Sequence, residues 1–222
     1  WRGQRQKIMK IKINEIFFSL QGEGTQVGIP TTFVRLFGCS LRCSWCDSMY
    51  AVEGDDYKEV KVQELIADIE KIKCKNICIT GGEPLHQKEE LVFLTNILLE
   101  KGYRILLETA GHIRPMDIFK NSNVLISMDC KCPGSGMDKK TNLSLLKELE
   151  AKDQIKFVIK DLKDYEYAKN IVLKNFFKAQ VIFQPVYGSN LESLVNMVLK
   201  DNLNIRVVPQ IHKIIWGDIR GV

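Results

Sequence analysis

Residues 31–48 read TTFVRLFGCSLRCSWCDS. The first eight are β-branched and aromatic enough to form a strand. That strand delivers the chain to Cys39, Cys43 and Cys46, spaced C-x3-C-x2-C. Thiolates this close usually hold a metal or a cluster. A structural zinc takes four protein ligands, and a simple iron–sulfur cluster takes four cysteines. This loop supplies three, so a cluster here would leave one iron open to an outside ligand, such as a small molecule chelating through an amine and a carboxylate. A zinc site completed by another Cys or His, or plain buried cysteines, are the alternatives.

Working outward, hydrophobic periodicity alternates between the two regular types. KINEIFFS (12–19) reads as a strand entering the Gly-rich QGEG (21–24), and 51–60 as a polar loop or lid. Val62, Leu65, Ile66, Ile69 and Ile72 share one helical face. Strands follow at 76–80, 104–109, 123–129, 155–160 and 180–187, with helices at about 88–100, 162–176 and 190–201. A further helix is expected at 141–150, capped by Thr141, and a last extended segment at 204–212. This alternation predicts parallel βα units. About six follow the first cysteine strand, short of the eight that close a barrel. The fold class expected is α/β, a partial, open (βα)6-type barrel resembling the triosephosphate isomerase type; a doubly wound sheet is the alternative. Residues 9–222 read as one domain, and 1–8 as a tag remnant or disordered N-terminus, because Met9 begins a natural-looking start.

The polar motifs sit where strands end: the cysteines, GGEP, ETAG and MDCKC. In parallel α/β folds those ends form the active face. Lysines alternate with acids and the net charge is only +5, so no basic patch for nucleic acid is expected. No apolar run is long enough to span a membrane. Seven cysteines with no export signal point to a reducing, cytoplasmic setting. Cys74, Cys78, Cys130 and Cys132 read as small buried apolar residues.

C-x3-C-x2-C after a strand, with Trp45 before the last cysteine and TGGEP (80–84) one βα unit later, resembles the radical S-adenosylmethionine (SAM) superfamily. The resemblance implies a [4Fe–4S] cluster on Cys39, Cys43 and Cys46, with the amino and carboxylate groups of SAM on the fourth iron. One electron would then split SAM to methionine and a deoxyadenosyl radical. Gly81 and Gly82 allow close backbone approach, and Glu83 offers an anionic acceptor for an ammonium.

SLQGEG (19–24), FVRLFGC (33–39), CDS (46–48), LETAG (107–111) and VPQIHKIIWGDIRGV (208–222) are similar to the 7-carboxy-7-deazaguanine synthase family, over about residues 9–222. That likeness implies a lyase converting 6-carboxy-5,6,7,8-tetrahydropterin to 7-carboxy-7-deazaguanine with release of ammonia, feeding the 7-deazapurine (queuosine or archaeosine) nucleosides of tRNA. It places substrate contacts at Leu20, Gln21, Gly22, Arg35, Thr109, His212 and Val222. Arg35 also stands out physically, as a guanidinium among apolar strand residues whose fork suits a carboxylate. The likeness places SAM contacts at Trp45, Cys46, Asp47, Gly81, Gly82, Glu83, Gly111, Ser127, Lys131, Gln154, Ile155 and Lys156. Around Lys131 the chain reads SMDCK where the family pattern would be Ser-Pro-Lys. Ser48 falls on the Mg2+ position, usually threonine in the family; serine keeps the hydroxyl oxygen. Partners implied are the pterin, an electron donor such as flavodoxin or ferredoxin, and a second copy in a homodimer, with neither nucleic acid nor membrane. A glycyl-radical-enzyme activase acting on a protein, and a zinc-binding interaction module, are the competing readings.

Overall fold

The computed structural model describes residues 9–222. The reading of 1–8 as a tag remnant lies outside the described residues.

The strands are β1 (Lys10–Leu20), β2 (Pro30–Leu36), β3 (Lys58–Lys61), β4 (Asn76–Gly81), β5 (Arg104–Thr109), β6 (Val124–Asp129), β7 (Gln154–Ile159), β8 (Gln180–Pro185) and β9 (Arg206–Val207). The helices are α1 (Val62–Ile72), α2 (Lys88–Glu100), α3 (Leu143–Leu146), α4 (Leu162–Lys174), α5 (Leu191–Lys200) and α6 (Ile211–Trp216). Among the described residues nine strands join one sheet in the order β3-β1-β2-β4-β5-β6-β7-β8-β9. From β2 onward every pairing is parallel, whereas β1 runs antiparallel to both β2 and β3. The sheet is open, with β3 and β9 at its edges.

Alternation along the strands decides between the barrel-like and doubly wound readings. Val34, Ile77, Ile79, Leu107, Ile155, Phe157 and Phe183 join a core that also contains Leu65, Leu91, Ile171 and Leu194 of the helices. Their strand neighbours Phe33, Arg35, Cys78, Thr80, Glu108, Lys156, Val158 and Gln184 face a cavity instead. Successive side chains point to opposite faces, so one face of the sheet carries the helices and the other walls the site. The helices dock through apolar stripes. In α1 the buried set is Val62, Leu65, Ile66 and Ile69, each stabilising by roughly 1.5–3 kcal/mol if fully buried.

Three local expectations are corrected. The 51–60 loop ends in β3, which pairs with β1 at the sheet edge. It reads as polar because three of its four residues are exposed at the sheet edge and only Val60 packs toward the core. The 141–150 helix shrinks to α3, and its cap is Asn142, which accepts from the Ser144 N–H. Thr141 is occupied elsewhere, its hydroxyl accepting from Lys131 N at 2.9 Å. The extended 204–212 segment is only two residues of β9, and His212 rides on α6.

Candidate active site

The cysteine loop is pinned at both ends. At its start, Gly38 N donates to Ala51 O at 2.8 Å, Glu83 N to Gly38 O at 2.8 Å and Gly82 N to Leu36 O at 3.1 Å. Gly81 makes this contact feasible: its φ is +137°, and an added Cβ would stand 2.0 Å from Leu36 O. On the far side, Ser44 Oγ donates to Gly134 O at 2.8 Å, and Gly134 N donates to Asp164 Oδ1 at 2.7 Å. The Trp45 ring packs on the same Gly134, where an added Cβ would come within 2.9 Å of it.

Cys39, Cys43 and Cys46 all line one cavity of about 590 Å³. All three are free and partly exposed. Burial pushes the Cys39 and Cys43 thiols up, and the Lys131 ammonium pulls the other way. Among the described residues no three His, Cys, Asp or Glu groups converge as a single ion would need. A cubane gives each thiolate its own iron, so three cysteines spread along one loop around an open cavity suit a cluster better than one zinc.

The same cavity holds a charged hub. Lys156, its side chain 7% exposed, reaches Glu23 at 2.5 Å, Glu108 at 3.1 Å and Asp129 at 3.5 Å. Burial works against the Glu23 carboxylate, but the Lys156 ammonium and the Gln210 amide override it and hold the acid at about 2. Burial wins at Glu108, whose carboxyl is pushed up. Asp129 also pairs with Lys131 at 2.6 Å, and the two ammonium groups hold it below the usual carboxylate range despite its burial. Phe17 and Phe33 stack at 4.8 Å on the cavity wall. Four buried polar atoms of lining residues have no hydrogen-bond partner among the described residues: Gln21 Nε2, Glu108 Oε1, Asp129 Oδ1 and Gln184 Oε1. One donor and three acceptors left bare in a cavity mark it as built for a polar ligand.

Of the residues singled out from sequence, Leu20, Gln21, Gly22, Arg35, Trp45, Asp47, Ser48, Gly81, Gly82, Thr109, Lys131, Lys156, His212 and Val222 line this cavity with the cysteines. His212 packs on Gly22 so closely that a Cβ there would meet its Nδ1 at 1.9 Å. Burial pushes the His212 imidazole down. Ser48 Oγ hydrogen-bonds to Cys46 Sγ at 3.8 Å and makes no helix-capping bond. Asp47 pairs with Lys213 at 3.3 Å.

Glu83, Gly111, Ser127, Gln154 and Ile155 are placed off the cavity wall. Glu83 accepts from Leu85 N, Thr109 Oγ1 and Ala110 N at 2.7–3.0 Å, tying the ends of β4 and β5 together. Gln154 Oε1 accepts from Thr25 N at 2.8 Å and Thr25 Oγ1 at 2.9 Å, and its Nε2 donates to Ser127 Oγ at 2.8 Å. This pair anchors the QGEG loop. Ile155 belongs to the helix-side core. Gly111 packs on the end of β6, against Asp129 O.

Glu23, Glu108 and Gln184 are site residues that the motif reading passed over. The usable signal for Glu108 and Gln184 is the one that picked out Arg35, a polar side chain inside an apolar strand.

An open, mostly parallel sheet with three free cysteines and a Gly-Gly pair at its strand ends defines the radical SAM class, and the model of the Radical SAM superfamily matches residues 34–165. The 7-carboxy-7-deazaguanine synthase of Thermoplasma acidophilum is 38% identical over 210 residues, covering 95% of this chain and 99% of its own. That of Methanospirillum hungatei is 40% identical over 205 residues, covering 92% and 85%. The chain belongs to the 7-carboxy-7-deazaguanine synthase family of radical SAM lyases. The crystal structure of QueE from Escherichia coli has the same fold, with a TM-score of 0.75 over 91% of this chain and 94% of that one at 23% identity.

Proposed function

We propose that this chain converts 6-carboxy-5,6,7,8-tetrahydropterin to 7-carboxy-7-deazaguanine with release of ammonia, supplying the 7-deazapurine nucleosides of tRNA. The observation that carries this reading is that the three cysteines, the glycine pair, Arg35 and the unpartnered Gln21 and Glu108 atoms open onto one cavity.

Cys39, Cys43 and Cys46 would hold the [4Fe–4S] cluster, and Trp45, Asp47, Gly81, Gly82 and Lys131 would line the SAM side. When bound, cluster and SAM supply hydrogen-atom abstraction started by one electron. The chain's residues do the rest. The Arg35 guanidinium takes the substrate carboxylate in a forked contact. Gln21 Nε2 donates to the pterin's carbonyl edge, and Glu108 Oε1 accepts from its N–H edge. Phe17 and Phe33 give that wall an apolar surface that keeps water off the ring. Thr109 already gives its hydroxyl proton to Glu83, so it meets the substrate only as an acceptor. Ser48 would give Mg2+ one oxygen, with substrate and water completing the shell.

A flavodoxin- or ferredoxin-type donor supplies the electron, and the chain works as a homodimer in the cytoplasm. No helix among the described residues is long and apolar enough to cross a membrane.

Anaerobic reconstitution with iron and sulfide should load about three to four irons per chain. SAM, a reductant and the carboxypterin should then yield the deazapurine. No product from the fully loaded protein would overturn the reading.

A further inference from the structure

β1 and β2 pair with Glu15 opposite Arg35, and the register shifts between Ile13 and Glu15. The shift makes Asn14 a bulge. In a regular strand neighbouring side chains point to opposite faces. A bulge re-aims them, and here Asn14 and Glu15 both reach one guanidinium, that of Arg220.

Every nitrogen of that guanidinium is used. Nε donates to Glu15 Oε2 at 3.0 Å, Nη1 to Asp56 Oδ2 at 2.7 Å and Nη2 to Asn14 Oδ1 at 2.8 Å. Its central carbon Cζ also lies 4.0 Å from the centre of the Tyr50 ring. Arg220 sits in the segment 217–222, which lines the cavity from the C-terminal side. The other oxygen of Glu15 accepts from Arg35 Nε at 2.7 Å and from the Tyr50 hydroxyl at 3.3 Å. Hydrogen-bonded through Nε alone, with its guanidinium carbon 5.6 Å from the centre of the Phe17 ring and 5.7 Å from that of Tyr50, Arg35 keeps Nη1 and Nη2 without a hydrogen bond among the described residues, on a side chain that lines the cavity. Glu15 thus grips the back of one arginine with one oxygen and the end of the chain with the other.

We infer that Glu15 is a positioning residue and Arg220 a latch, so that closing the C-terminal strap and presenting the fork of Arg35 to a carboxylate are one event. This rests on the reading of Arg35 as the partner of the substrate carboxylate. With the latch released, Glu15 and Tyr50 lose the guanidinium that holds them, and Arg35 loses its fixed plane. The loss should fall on the carboxylate contact and spare the ring.

The test uses the cluster-loaded full chain with SAM, comparing the carboxylated tetrahydropterin with the same pterin lacking the carboxylate. Arg220→Ala should raise KM for the carboxylated substrate about tenfold, with the loss in KM rather than kcat, and leave affinity for the other pterin within about twofold. Glu15→Gln should do the same, and the double variant should be no worse than the more affected single one, because both act through one network. Equal losses for both pterins, or additive effects, would overturn the inference. Arg35→Ala separates the two readings: if it leaves KM unchanged, the carboxylate contact itself falls. If it raises KM while Arg220→Ala does not, only the coupling falls. Should Glu15→Gln fail to fold, Arg220→Ala decides alone, its side chain being 41% exposed.

Discussion

Gly81 lies against Leu36 so tightly that a Cβ on it would stand 2.0 Å from the Leu36 carbonyl oxygen. The glycine therefore serves the junction of β4 with β2, and through it the start of the cysteine loop, before it serves any ligand. Gly81→Ala should destabilise even the cluster-free protein by about 2–4 kcal/mol, since both backbone strain and the clash must be relieved. Thermal unfolding without iron should show a fall of roughly 5–15 °C. An unchanged midpoint with impaired SAM binding would restore the view that the glycine acts only on the ligand.

Lys156 and Glu23 lie 2.5 Å apart in the buried hub. The Glu23 carboxyl sits at about 2 against an ordinary 4.5, so the folded state favours its charged form. The sign follows: this stability is complete above the ordinary value and is lost as pH falls toward the folded one. Urea titrations at about pH 6 and about pH 3 should show a smaller acid loss in Glu23→Gln than in the unsubstituted protein. Equal losses would mean the pair does not govern acid stability.

Gln154 offers a choice between two roles. Sequence likeness makes it a SAM contact, whereas the structure binds it to Thr25 and Ser127 behind the QGEG loop. Gln154→Leu should cost about 1–3 kcal/mol by leaving buried partners unsatisfied. It should also raise KM for the pterin, because Gln21 and Gly22 sit on the loop it anchors. Affinity for SAM should hold; a selective loss there would favour the contact role.

Ser48 Oγ stands free of capping duty beside Cys46. Ser48→Ala should keep the iron content and abolish stimulation by Mg2+, while Ser48→Thr should keep both. Stimulation surviving in the alanine variant would remove Ser48 from the metal.

Much of the site was legible because its signals are local. The three cysteines, the Gly-Gly turn and Arg35 declare themselves by spacing or by a polar residue in an apolar run. The helical stripe of 62–72 reads directly as α1. β3 was not legible, because a four-residue edge strand whose single apolar residue is Val60 makes no alternating pattern. The helix at 141–150 was legible but its cap was not, because a capping side chain can be claimed by another partner, as Lys131 claims Thr141.

By itself the sequence determined the class of chemistry, through three thiolates that leave a coordination position open and through strand ends that carry the polar residues. Only the tertiary structure decided which of those residues face the cavity and which brace it from behind. Ser127, Gln154 and Glu83 turned out to brace; Glu108, Gln184 and Glu23 turned out to face inward. The reason is that a side chain's partner depends on strand order and register. Glu15 meets Arg220 across 205 positions of chain, a contact that no local pattern encodes and that a one-residue bulge in β1 brings about.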